Sequence, residues 1–104
     1  MGKQLADTKG RPVVVVTGIG VVTSLGVGKQ DNWAALTAGQ SGIKSITRFP
    51  TDGLRTTVAG TVDSLDVEPY SAPELSIAMA VSSAREAIGQ AGFGAKEKFP
   101  GPLY

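Results

Sequence analysis

The stretch Pro12-Val13-Val14-Val15-Val16-Thr17-Gly18-Ile19-Gly20-Val21-Val22-Thr23-Ser24-Leu25-Gly26-Val27-Gly28 decides the fold class. Four consecutive β-branched residues, stiff at χ1, suit a strand buried on both faces. A helix is disfavoured because Gly18 and Gly20 follow at once. Val21 and Val22 resume the apolar run, and residues 23–28 read as a loop. Four glycines between 18 and 28 mean that the backbone there turns sharply or approaches another chain closely.

Before this stretch, residues 1–11 read as a flexible polar leader without the apolar core of a secretory signal. After it, Asp31 or Asn32 offers a helix N-cap. Residues 33–38 read as a short helix, with Trp33 and Leu36 on one face and Gly39 ending it in the left-handed conformation. Residues 40–42 form a turn, 43–49 an extended connector, and 50–53 another turn. Residues 56–62 read as a second strand with Val58 and Val62 on one face, and 63–73 as an irregular acidic link.

The spacing predicts a long helix over 73–91. Pro73 fits its first turn and Gly92 stops it. Ile77, Val81, Ala84, Ile88 and Ala91 recur at spacings of four, three, four and three. With Ala80 and Ala87 they fill one arc, which predicts a core-packing helix whose alanines let a partner element come close. The end, Pro100-Gly101-Pro102-Leu103-Tyr104, looks like a turn leading into an unfinished strand.

A length of 104 residues allows one small domain. The chain holds neither Cys nor His. That excludes a thiol nucleophile, a Cys/His zinc site, a disulfide and a Ser-His-Asp relay within it. Ten Lys+Arg against nine Asp+Glu give a net charge of +1, with no electrostatic case for nucleic acid or an anionic membrane. The longest apolar run, Val13 to Val16, falls far short of the roughly 20 residues of a membrane span. A soluble, cytoplasmic chain is the expectation.

Four site motifs fail on their physical requirements. A dinucleotide fingerprint starting at Gly18 needs glycine where Thr23 stands. The short-chain dehydrogenase form needs it at Val22 and Ser24. A phosphate loop ending in Gly28-Lys29 would need Ser or Thr at Gln30 and glycine at position 23. Asp63, Asp66 and Glu68 read as a solvated acidic turn rather than a catalytic carboxylate pair. Arg48 and Arg55 read as solubilising surface charges. No catalytic, cofactor-binding or metal-binding residue is assigned within the chain.

The order of these segments resembles the N-terminus of the β-ketoacyl-[acyl-carrier-protein] synthases, above all the type II elongating enzymes. The family opens on a V-V-V-T-G-x-G-x-x-[ST]-x-x-G strand and turn, like residues 13–26 here. A W-x-x-L-x-x-G-x-S-G-I helix and turn follows, as in Trp33 to Ile43. Arg48-Phe49, the strand at 58–62 and the helix ending at Gly92 also have counterparts, so the resemblance covers roughly residues 11–93.

It implies an α/β fold: the N-terminal part of a thiolase-like α-β-α-β-α layered fold, over residues 12–104. The family condenses an acyl-enzyme with malonyl-carrier protein, losing CO₂, in fatty acid biosynthesis. A cysteine carries the acyl group and two histidines assist. Neither residue type is present here. The resemblance therefore implies an acyltransferase as the full-length protein, with acyl carrier protein and a second copy as partners, and a 104-residue chain truncated before the catalytic residues and inactive alone. It implies no bound cofactor.

Two features depart from the family. The basic stretch that helps dock the acidic carrier is replaced by Asp66-Val-Glu-Pro-Tyr-Ser-Ala-Pro-Glu74, which puts docking there in doubt. Pro100-Gly101-Pro102 replaces a polar loop, which leaves the acyl substrate open. A non-catalytic interaction or dimerisation module derived from the family is the alternative, and a nucleotide-binding fold a third, separable by titration with NAD(P). An isolated chain with uncovered strands is expected to self-associate.

Overall fold

The computed structural model describes residues 5–65 and 71–93. It is a small α/β arrangement of two helices and two two-stranded antiparallel sheets. In chain order the elements are β1 (Val22–Thr23), β2 (Gly26–Val27), α1 (Lys29–Thr37), β3 (Lys44–Ser45), β4 (Val58–Ala59) and α2 (Ala72–Gln90).

The first sheet is a tight hairpin. Val22 pairs with Val27 and Thr23 with Gly26 across a two-residue turn, so part of the expected loop is a ladder. The second sheet sets Lys44 against Ala59 and Ser45 against Val58. The strand expected over 56–62 is thus present at its centre. Part of the expected connector is its partner, and Ile46 N–H extends the pairing to the Thr57 carbonyl at 2.9 Å.

Both helices stop as their glycines foretell. Gly39 and Gly92 adopt positive φ, 70° and 90°. Beyond α1, the N–H groups of Gly39 and Gln40 return to the Leu36 and Ala35 carbonyls. Beyond α2, those of Gly92 and Phe93 return to Gly89 and Ile88. This is the double-bonded glycine terminus that satisfies the last open carbonyls of a helix. The first turn of α1 differs from expectation. The helix begins at Lys29 with Gly28 as N-cap (φ 92°), and neither Asp31 nor Asn32 caps it. Asp31 lies in the first turn, where its charge favours the helix dipole. Asn32 is buried, 5% exposed, and serves the hairpin instead.

The valines depart most from the reading. Residues 13–16 form no strand and are exposed, Val14 at 91% and Val16 at 80%. β-Branched residues make a strand only when neighbouring chains supply a ladder and a cover. Among the described residues, the neighbours of this segment are a turn before it and α2 after it. That turn lies in the reading's leader. It is closed by an Ala6–Pro12 bridge and by Asp7, which accepts the N–H groups of Lys9 and Arg11 at 2.8 and 2.9 Å.

α2 runs where expected, with Pro73 in its first turn. Its predicted core face, however, is not buried. Ile77, Ala80 and Val81 are exposed, and Ala84, Ala87, Ile88 and Ala91 are half-buried. The helix instead meets the glycine segment along Ser83, Glu86, Ala87 and Gln90. A glycine backbone can lie directly on a helix there, and polar side chains can satisfy its N–H groups. Among the described residues, no second apolar layer lies against Ile77 and Val81.

Candidate functional site

Among the described residues, side-chain and backbone contacts concentrate at the junction of residues 18–28, the N-terminus of α1 and the C-terminal half of α2. Close approach begins it. A Cβ placed on Gly18 would collide with the Ala87 carbonyl, and one on Gly20 with the Ser83 carbonyl. These positions therefore need glycine for space, not for an unusual φ.

Two side chains of α2, one turn apart, receive the backbone brought so near. Gln90 Oε1 accepts the Ile19 N–H at 2.9 Å, and Glu86 Oε1 accepts the Val21 N–H at 3.0 Å. The second oxygen of Glu86 accepts the N–H of Lys29, the first residue of α1, at 3.0 Å. Its ammonium lies 3.7 Å away. Gly28 has no side chain with which to cap α1, so Glu86 does so from across the fold. The Lys29 N–H, then the Val21 N–H, hold the Glu86 carboxyl below its ordinary pKa.

The hairpin is fastened from its other side by Asn32. Its amide donates to the Gly26 carbonyl at 3.0 Å and to the Gly28 carbonyl at 2.7 Å. The Thr23 hydroxyl donates to Asn32 Oδ1 and accepts the Leu25 N–H at 3.0 Å.

Between hairpin and α1 lies an open apolar groove of about 540 Å³, walled by Ile19, Val21, Leu25, Trp33, Leu36 and Ile43. The shared face of Trp33 and Leu36 read from the sequence is one wall of this groove. Lys29 and Asn32 border it, already engaged with Glu86 and the hairpin.

The remaining ionic cluster corrects the reading of Arg48 as a free surface charge. Its side chain is only 16% exposed, donates to the Val62 carbonyl, and lies 3.6 Å from Asp63. Asp63 also meets Lys44 at 3.3 Å and accepts the Thr61 hydroxyl at 2.8 Å. Thr61 first, then Lys44, holds its carboxyl below the ordinary range. Among the described residues, the buried apolar ones are Val62, 8% exposed, next to Asp63 in sequence, and Ala35 on α1. Asp66 and Glu68, the rest of the acidic turn, lie outside the described residues, as does most of the acidic stretch 66–74. Arg55 is exposed, as expected.

Chemically this is a framework. Glu86 is stabilised as the anion and its oxygens are filled by N–H donors, the opposite of what a proton-donating acid needs. Among the described residues no group of three His, Cys, Asp or Glu could hold a metal. Sequence reading missed Glu86, Gln90 and buried Asn32. The signal for the first two was present: two acceptors four residues apart, on the helix flank that carries Ser83 and Ala87.

Comparison with known proteins agrees with this framework. Residues 11–98 match the family model described as "Beta-ketoacyl synthase, N-terminal domain". A 3-oxoacyl-[acyl-carrier-protein] synthase 2 of Coxiella burnetii is 39% identical over 85 residues, 76% of this chain and 20% of that protein. The synthase 2 of Vibrio cholerae is 46% identical over 57 residues, 55% of this chain and 14% of that protein. The tetracenomycin polyketide synthase ketoacyl synthase beta subunit of Streptomyces glaucescens is 47% identical over 57 residues, with the same two shares. The chain belongs to the β-ketoacyl synthase family, and its residues 11–98 correspond to that family's N-terminal domain. It spans about a fifth or less of the length of these relatives. The family carries with it a thiolase-like fold. Among the described residues, no helix is long and apolar enough to cross a membrane.

Proposed function

We propose that this chain is the N-terminal scaffold of a 3-oxoacyl-[acyl-carrier-protein] synthase. The whole enzyme condenses an acyl-enzyme with malonyl-carrier protein in the cytoplasm, releasing CO₂ and extending the acyl chain by two carbons. Residues 12–104 form the first part of its five-layered α-β-α-β-α domain, behind a leader of residues 1–11. The enzyme works as a homodimer on acyl carrier protein. The observation that carries this reading is the match over residues 11–98, whose glycines, Asn32 and Glu86 build a rigid junction rather than a reactive centre. With no Cys and no His, the 104 residues contribute position and not chemistry.

The test is an exchange. Residues 11–98 replace the matching segment of the Coxiella burnetii relative, and β-ketoacyl product from malonyl-carrier protein is measured. The chimera is expected to be folded and active, and the 104-residue chain alone inactive. A folded but inactive chimera, or product formed by the chain alone, overturns the reading.

One observation favours a second reading, an association module derived from the family: the uncovered valines at 13–16. An active chimera would count against it.

A further inference from the structure

The turn Thr51-Asp52-Gly53-Leu54, between β3 and β4, sets a carboxyl beside a backbone nitrogen that nothing restrains. The Leu54 N–H reaches back to the Thr51 carbonyl at 3.0 Å, and Gly53 takes a positive φ of 81°. Asp52 does not, so this is a type II turn with glycine at its third position. Neither the Asp52 carboxylate nor the Gly53 N–H has a hydrogen-bond or ionic partner among the described residues. A Cβ built on Gly53 would meet nothing within 4 Å. All of these are properties of four consecutive residues.

We propose that Asp52–Gly53 is a site of spontaneous backbone modification, at which the aspartate cyclises and reopens as isoaspartate. This goes beyond the synthase reading and rests on the turn alone. The Gly53 nitrogen attacks Cγ of Asp52 in its protonated form. The N–Cγ bond forms, the Cγ–OH bond breaks, and the hydroxyl leaves with the amide proton as water. The product is a cyclic succinimide. Water then adds to either ring carbonyl. Opening at Cγ restores aspartate. Opening at the main-chain carbonyl leaves Gly53 joined through Cγ, so the main chain gains one carbon and the former main-chain carbonyl becomes the free carboxylate. No oxidant or reductant takes part.

Local structure selects this aspartate from the others described. Ring closure needs the 52–53 peptide to swing, as it does between type II and type I turns, and it needs room at the nitrogen. Glycine supplies both, since it carries no Cβ and accepts either sign of φ. Asp7 precedes Thr8, and its carboxylate is held by the Lys9 and Arg11 N–H groups and by the Arg11 guanidinium. Asp63 precedes Ser64 and is held by Thr61, Lys44 and Arg48. Asp31 lies inside α1 and precedes Asn32, whose N–H is committed to the Gly28 carbonyl. Each of these must surrender a bond before it can cyclise, whereas the Asp52 carboxylate surrenders none. The added carbon lengthens the connection that leads from the Lys44–Ala59 pair and the Ile46–Thr57 bond.

The test is ageing of the unmodified chain at mildly acidic pH and physiological temperature. Isoaspartate is read by peptide mapping and by methyl transfer from S-adenosylmethionine, with an isoaspartyl methyltransferase as the probe. It is expected to form at Asp52 at least about tenfold faster than at Asp7, Asp31 or Asp63, the factor that about 1.4 kcal/mol of hydrogen bonding adds to a barrier. A species lighter by one water should precede it. Asp52→Glu, whose ring is one atom larger and slower to close, should remove the signal. Asp52→Asn should raise it, with ammonia as the leaving group. In urea the lead of Asp52 over Asp63 should narrow, because Asp63 is released from its partners. Absence of isoaspartate at Asp52, an equal rate at the other aspartates, a signal retained by Asp52→Glu, or a lead unchanged in urea would each overturn the proposal.

Discussion

Glu86 of α2 caps the N-terminus of α1 by accepting the Lys29 N–H at 3.0 Å, with 57 residues between them in sequence. The same carboxylate holds Val21. One side chain therefore fixes the hairpin, the first helix and the second helix to one another.

Removing its charge should make stability less dependent on acid. The folded-state pKa of Glu86 is lowered from an ordinary value of 4.5. Its contribution is therefore fully present above that value and is lost as pH falls through the lower, folded one. Thermal melts of the unmodified chain and Glu86→Gln from pH 7 to pH 3 should differ most at neutral pH and converge in acid. Asp7 and Asp63, also lowered, remain in both proteins and give both a residual acid loss. A gap that widens in acid would contradict the capping role.

Gly20→Val should destabilise by about 1–3 kcal/mol, as overpacking does, because its side chain must displace the Ser83 backbone. Gly89→Ala is the contrast. Nothing lies within 4 Å of that position, which is helical, so the change should stabilise by about 0.5–1 kcal/mol. Urea midpoints of the two variants should move in opposite directions.

Asn32→Ala should cost about 1–3 kcal/mol, leaving the Gly26 carbonyl and the Thr23 hydroxyl without the Asn32 side chain and the Gly28 carbonyl with only the backbone N–H of residue 32. Asn32→Asp should not rescue it, since the two carbonyls need a donor. Amide exchange should accelerate first in residues 22–28; acceleration confined to α2 would be the wrong result.

Two cations face Asp63, and their removal should differ. Lys44 is half-exposed, so Lys44→Ala should change stability by about 0–1 kcal/mol. Arg48 is largely buried and also holds the Val62 carbonyl, so Arg48→Ala should cost about 1–3 kcal/mol. Equal denaturation midpoints for the two would refute the distinction.

The sequence was most readable where a residue acts through its own backbone. Gly39, Gly53 and Gly92 take positive φ at the turn and helix ends where they were expected. The helix over 73–91 was legible from its period, within a residue of α2. What the period could not reveal is which side of α2 would be used. Hydrophobic arcs report average burial, whereas the contact here depends on two glycines far away in sequence, Gly18 against Ala87 and Gly20 against Ser83, and on polar acceptors placed to meet the N–H groups of Ile19 and Val21 beside them. Asn32 was misjudged for a related reason. As a cap it would act locally, but its amide is spent on carbonyls that only the hairpin brings within reach. The valines carried a strong strand signal, yet a strand is a property of a pair of chains. For the site, the lack of a reactive thiol or imidazole was plain from composition, while the Glu86 junction required the fold.

The paired contacts of Gly18 with Ala87 and Gly20 with Ser83 also work as a gauge of alignment. Two residues of extended chain advance about 6.6 Å, close to the roughly 6.0 Å of four helical residues. The two repeats therefore mesh like teeth, and the chain could in principle slip along α2 by one notch. Slipping one way would bring Val16 to the place of Gly18; slipping the other way would bring Val22 to the place of Gly20. Either valine would strike the helix backbone. The alternation Val16, Gly18, Gly20, Val22 thus admits a single setting, and any insertion between residues 16 and 22 would have to be a whole new tooth, ending in glycine, to be tolerated.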